Sequence, residues 1–187
     1  MDREKLEARL TELPLMHYAF LKPETIPFSP RLQEVCRQEC PMYGASWSCP
    51  PAVGTVDECR RRCLAYDGAL LLMTAQEVAD AANLAETLAV RPFHTSVVRQ
   101  AEQLVREQGC ETLCLSADAC ALCGRCAWPE QCRQPERMTP CLEGYGVVVS
   151  ELAETCGAPF PTEGGIVAYY AVVFYREQSG KETALIA

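Results

Sequence analysis

Lysine and histidine are scarce in this sequence, three and two among 187 residues. His17 and His94 stand in no recognisable Ser/His/Asp or Cys/His arrangement, so each is expected to be a packed or surface residue. There is no G-x-S-x-G, no Walker loop and no G-x-G-x-x-G, so nucleophile-elbow hydrolysis and glycine-cradled phosphate chemistry drop out. The longest apolar run, Ile166 to Tyr175, is too short to span a bilayer. The opening MDREKLEARLTEL is charged and amphipathic and lacks the apolar stretch of a secretory signal, which leads us to expect a cytoplasmic chain with no membrane partner. Excess positive charge is missing too: the net charge is −8, which opposes nonspecific binding of nucleic acid. With no long linker and no low-complexity tract, residues 1–187 read as one domain, able to bury roughly 70% of its unfolded surface.

Cysteine is what the sequence has in plenty, thirteen in all. An odd number cannot pair completely, and an intracellular chain keeps thiols reduced, so metal or redox chemistry is favoured over disulfides. Of the seventeen cations, fourteen are Arg, and Arg37, Arg60, Arg61, Arg62, Arg125 and Arg133 flank cysteines. Nearby cations favour thiolate, the form that binds metal. A solvated basic helix face accounts equally well for Arg60 to Arg62.

Apolar periodicity predicts a helix over Glu4–Leu13, stopped by Pro14, and a strand over Leu15–Leu21. Pro27 to Pro51, with five prolines, reads mostly as loop with one helical turn at Arg31–Cys36. A helix at Val56–Leu64 and a buried strand at Gly68–Met73 follow. Two helical segments, Ala75–Leu88 and His94–Glu107, are predicted to break near Pro92. Short strand Glu111–Leu115, helix Val147–Thr155 and strand Gly165–Tyr175 complete the pattern. The fold class expected is α/β or α+β, a small mixed sheet covered by helices with cysteine-rich metal-binding loops.

The strongest motif is CALCGRCAWPEQC, where Cys120, Cys123, Cys126 and Cys132 follow the spacing C-x2-C-x2-C-x5-C. Three cysteines at that interval let one loop wrap a cube-shaped cluster and aim backbone N–H groups at its sulfur, as in ferredoxin-type runs. Zinc usually prefers two separated C-x2-C pairs. Iron–sulfur, zinc and plain structural thiols all stay open on spacing alone. The second motif, CRQECPMYGASWSCPP, carries Cys36, Cys40 and Cys49. Its C-x3-C-x2-Tyr lacks the third cysteine of a radical S-adenosylmethionine motif, because position 43 is Tyr. A metal there needs a fourth ligand, for which Cys59, ten residues on, is the first candidate; Cys63 shares its helix face. Cys63 also reads as a buried small hydrophobe. Cys110, Cys114, Cys141 and Cys156 show no ligand spacing of their own, though Cys141 lies close enough in sequence to the cysteine run to be considered. Trp47 and Trp128 flank the two motifs, and both solvent shielding and core packing account for them.

YGASWSCPP, ECRRRCLAYDGALLL and CALCGRCAWPEQCRQPERMTPCLEGYGV, in that order, resemble a prokaryotic family of predicted metal-binding proteins. The resemblance spans Cys36 to Gly157 and implies metal or iron–sulfur binding through Cys36, Cys40, Cys49, Cys120, Cys123, Cys126 and Cys132. This chain departs from the family pattern with Cys141 where serine is usual and Gly144 where alanine is usual. The resemblance implies a site and no particular reaction.

The expectation for function is electron transfer through one or two [4Fe–4S] clusters, with a redox partner protein docking by charge. A zinc- or iron-binding module with a structural or sensing role is the alternative. A cluster enzyme with an open iron position is a third.

Overall fold

In Gly68–Glu77 and Ile166–Glu177, apolar residues occupy odd and even positions alike, so both faces of these strands need cover. The computed structural model, which describes residues 1–161 and 165–178, provides it. The elements are α1 (Arg3–Leu10), β1 (His17–Leu21), α2 (Pro30–Glu39), α3 (Val56–Cys63), β2 (Gly68–Glu77), α4 (Leu84–Glu107), β3 (Cys110–Ser116), α5 (Val149–Thr155) and β4 (Ile166–Glu177). The four strands form one sheet in the order β1-β2-β4-β3. Every pairing within it is antiparallel, so the architecture is α+β and the sheet is not mixed in direction.

Alternate side chains of the central strands enter two cores. Leu70, Leu72, Ala171 and Val173 face α1 and α4, which contribute Leu6, Leu10, Val98, Ala101 and Val105. Ala69, Leu71, Met73, Val172 and Phe174 face the other way, toward Cys59, Cys63, Leu142, Val147 and Leu152. The helices begin where the local chemistry allows. Thr55 and Glu58 form a reciprocal capping box on α3, and Ser29 caps α2 with Pro30 at its first position.

Three expectations are corrected. Ala75–Glu77 are not helical; they extend β2, because Ala168, Val167 and Ile166 of the long strand β4 offer them partners. Tertiary pairing there overrides local helix preference. The helix is not broken at Pro92 either, and α4 runs through it. Proline removes one backbone donor, but both halves are held: Tyr169 Oη donates to Thr87 O at 2.9 Å, and His94, Val97 and Val98 are buried beyond it. The single turn expected after Arg31 is a ten-residue helix ending at Glu39, which puts Cys36 in its last turn and Cys40 at its C-cap.

The cysteine loops sit at one end of the sheet. Residues 117–140 leave β3 at Ser116 and return beside it, where Ser116 and Cys141 form a parallel bridge. Ser116 N–H donates to Pro140 O and Leu142 N–H to Ser116 O, both at 3.0 Å. Gln33 in α2 donates to Gly54 O and Gly144 O at 2.9 and 2.8 Å, tying the N-terminal cysteine segment to the same end.

His94, 1% exposed, shares a hydrogen bond with Thr74 Oγ1 at 2.9 Å and stacks on Tyr169. Burial pushes its imidazole down to about 4. The folded chain therefore keeps it neutral, while the unfolded chain takes up a proton below about pH 6.5. The stability this residue contributes is whole above that pH and is lost, at up to about 1.4 kcal/mol per pH unit, as pH falls toward about 4. We predict that the gap in thermal midpoint between wild type and His94→Gln narrows steadily on acidification through this window. A gap independent of pH would show that His94 titrates no differently in the two states.

Candidate metal centre

Cys120, Cys123, Cys126 and Cys132 all line one small cavity, together with Ser46, Trp47 and Gln134. The C-x2-C-x2-C-x5-C loop thus closes on itself and meets the N-terminal motif from some eighty residues away. Two hydrogen bonds across the junction, and one within the loop, involve the cysteines directly. Trp47 N–H donates to Cys126 Sγ at 3.5 Å, Gln134 Nε2 to Cys123 Sγ at 3.6 Å, and Cys120 N–H to Ser48 Oγ at 2.8 Å. Burial opposes ionisation of Cys126, but N–H groups of Trp128, Trp47 and Ala127 and the Ser46 hydroxyl outweigh it and hold this thiol below its ordinary range. Trp47 and Trp128 pack edge to face, ring centres 4.6 Å apart, and Trp47 Nε1 donates to Glu130 O at 2.7 Å.

The free volume is about 20 Å³. A cluster held here would part the loop walls, and residues 117–134 contain no helix or strand to resist that. Among the described residues, no group of three or more His, Cys, Asp or Glu is drawn into the geometry of a single-ion site. The donor set itself, four thiols with N–H groups aimed at two of their sulfurs, suits an iron–sulfur cluster. Such a cluster places each cysteine on a separate iron and is stabilised by N–H···S bonds. Cys120 and Leu122 also border a larger hollow of about 910 Å³ between α1, α4 and the loop, lined by Arg91, Arg99 and Asp118.

None of the three N-terminal cysteines lines this cavity. Cys36 is half-buried, Cys40 exposed and Cys49 buried. Burial pushes the Cys36 thiol up, as do the neighbouring charges of Cys40, Cys49 and Glu143. The Cys49 and Cys141 thiols are neighbours that perturb each other, which lowers Cys49 and raises Cys141. Cys59 lies elsewhere, fully buried on α3, where it donates to Val53 O and accepts from Arg62 at 3.4 Å each. Burial pushes Cys59 up to about 11 and Cys63 up to about 12. Cys114 is likewise raised by burial. These three behave as apolar core thiols. The two histidines are engaged within the fold, His94 by Thr74 and His17 by Cys156 O at 3.1 Å.

With that geometry in place, the comparison with known families becomes decisive. Residues 19–175 match the model of a family described as "Predicted metal-binding protein (DUF2284)". The chain belongs to this family. The matched stretch holds all thirteen cysteines and both motifs, so the DUF2284 match covers the whole arrangement described above. No curated protein and no solved structure gives a match.

Spacing alone did not reveal Ser46, Ser48, Gln134 or Glu143, whose roles arise from contacts distant in sequence. Asp118 is another such residue. It has φ +64°, the one positive value at a non-glycine among the described residues, and a buried Oδ2 without a partner. It lies two residues before Cys120, at the point where the loop leaves the sheet.

Two predictions follow from this layout. On the metal-free folded chain, a thiol reagent should label exposed Cys40 and the half-buried cavity cysteines rapidly, and label Cys59, Cys63 and Cys114 only on unfolding; rapid labelling of Cys59 would contradict its placement. Ser48→Ala leaves the buried Cys120 N–H without its acceptor and should lower unfolding stability by about 1–3 kcal/mol in denaturant titrations.

Proposed function

We propose that this member of the DUF2284 family is an iron–sulfur protein that transfers electrons. Cys120, Cys123, Cys126 and Cys132 hold one [4Fe–4S] cluster, and Cys36, Cys40 and Cys49 are ligands of a second. The supporting observation is the convergence of four thiols on one cavity, with backbone and side-chain N–H donors on Cys126 and Cys123. When bound, such a cluster supplies a one-electron couple whose potential answers to hydrogen bonds, burial and nearby charge. The N–H groups of Trp47, Trp128 and Ala127 would stabilise negative charge on the Cys126 sulfur, which favours the reduced state of a bound cluster and raises its potential. Trp47 and Trp128 limit water at that side of the loop. The net charge of −8 would steer the protein onto a cationic patch of a redox partner in a reducing compartment.

A zinc- or iron-binding module with a structural or sensing role is the second reading, favoured by a family description that names metal binding and no cluster. The hollow of about 910 Å³ bordered by Cys120 gives a third, a cluster enzyme, somewhere to place a substrate.

Protein purified without oxygen should contain iron and acid-labile sulfide in equal amounts, about four to eight of each per chain, and absorb broadly in the visible with reversible bleaching on reduction. Cys126→Ser should remove about four iron and leave the chain folded by circular dichroism. Zinc without sulfide, in colourless protein, would replace electron transfer by the metal-binding module.

A further inference from the structure

The N-terminal motif presents three cysteines, and sequence spacing nominates Cys59 as the fourth. In the fold Cys59 is turned into the core, where its Sγ contacts Val53 O and Arg62 and its charged neighbours are Arg62 and Glu58. Cys141 stands in the position Cys59 would need. Its backbone N–H donates to Ser48 O at 2.9 Å, which sets it against the residue preceding Cys49. Its side chain neighbours that of Cys49 and perturbs its ionisation. The turn that carries it packs against the Cys-Pro-Pro segment so closely that a Cβ on Gly144 would lie 3.1 Å from Pro50 Cδ and 3.3 Å from Cys141 Cβ. Glu143 Oε2, which accepts from Cys141 Sγ at 3.0 Å, also acts electrostatically on Cys36. Cys40 follows one helical turn after Cys36, its N–H on Cys36 O at 3.1 Å.

We infer that Cys36, Cys40, Cys49 and Cys141 form the ligand set of a second four-cysteine iron–sulfur centre, with Cys141, delivered by the return of the cysteine loop to β3, as the fourth ligand in place of Cys59. This rests on the iron–sulfur reading above. The donor set fits the group: four thiols from three chain segments, with Cys36 near Cys40 and Cys49, and Cys49 near Cys141. To hold a cluster, Cys141 would give up its S–H contact with Glu143 Oε2 and lose its thiol proton. The two centres would then both adjoin the Ser46–Cys49 segment, whose Trp47 N–H donates to Cys126 Sγ and whose Cys49 neighbours Cys141. That arrangement places two clusters in series within one small chain.

The test is iron and sulfide content, with electron paramagnetic resonance of the reduced protein, for wild type, Cys141→Ser, Cys59→Ser and Cys126→Ser reconstituted without oxygen. The inference expects about eight iron in wild type, about four in Cys141→Ser and about eight in Cys59→Ser. It also expects a spin-coupled signal in wild type that becomes that of an isolated cluster in Cys141→Ser. Should Cys141→Ser fail to fold, Cys141→Ala is read in the same assay against the unfolding midpoint of the metal-free chain. Wild-type iron in Cys141→Ser, or loss of four iron in Cys59→Ser, overturns the assignment and leaves the iron–sulfur reading standing. About four iron in wild type, lost in Cys126→Ser and unchanged in Cys141→Ser, also overturns it. Zinc or no metal in every variant sinks the iron–sulfur reading itself.

Discussion

Ser48 holds the two cysteine segments together. It is completely buried, its hydroxyl accepts the Cys120 N–H at 2.8 Å and its carbonyl accepts the Cys141 N–H at 2.9 Å. One residue thereby fixes both the start and the return of the cysteine loop. Buried backbone donors must find acceptors, and a loop whose one regular element is a 3-10 turn at Pro135–Arg137 has few internal ones to offer. The neighbours of Ser48 follow from its placement: Trp47 brings its N–H to Cys126, and Cys49 meets Cys141.

The sheet makes that junction possible. Its central strands bury both faces, so α1 and α4 cover one side while α3, α5 and the loops cover the other. The Ser116–Cys141 bridge extends the edge of β3 into the loop and gives the cysteine run a rigid origin. The helix through Pro92 shows the same hierarchy, since packing against the sheet and the Tyr169 tether outweigh one missing hydrogen bond.

Environment gives chemically identical side chains opposite behaviour. Cys59, Cys63 and Cys114 lie in apolar surroundings that disfavour the thiolate, and there they act as small hydrophobes. Cys126, surrounded by N–H donors, has its anionic form favoured despite partial burial. Arginine proximity in sequence did not predict this division. Arg62 does reach Cys59, yet desolvation there dominates; the backbone does the corresponding work at Cys126.

The sequence by itself determined the strands with apolar residues on both faces, the capped helix after Thr55 and the grouping of Cys120, Cys123, Cys126 and Cys132, because periodicity, capping and close ligand spacing are local properties of the chain. It also carried the family membership, through two motifs in fixed order. Only the tertiary structure decided that Ala75–Glu77 pair as strand, that the two motifs share the Ser46–Cys49 wall, and that Cys141 rather than Cys59 borders Cys49. Those outcomes depend on backbone hydrogen bonds between segments as many as ninety-odd residues apart, such as that from Cys141 to Ser48, and no local pattern encodes which distant carbonyl a buried N–H will find.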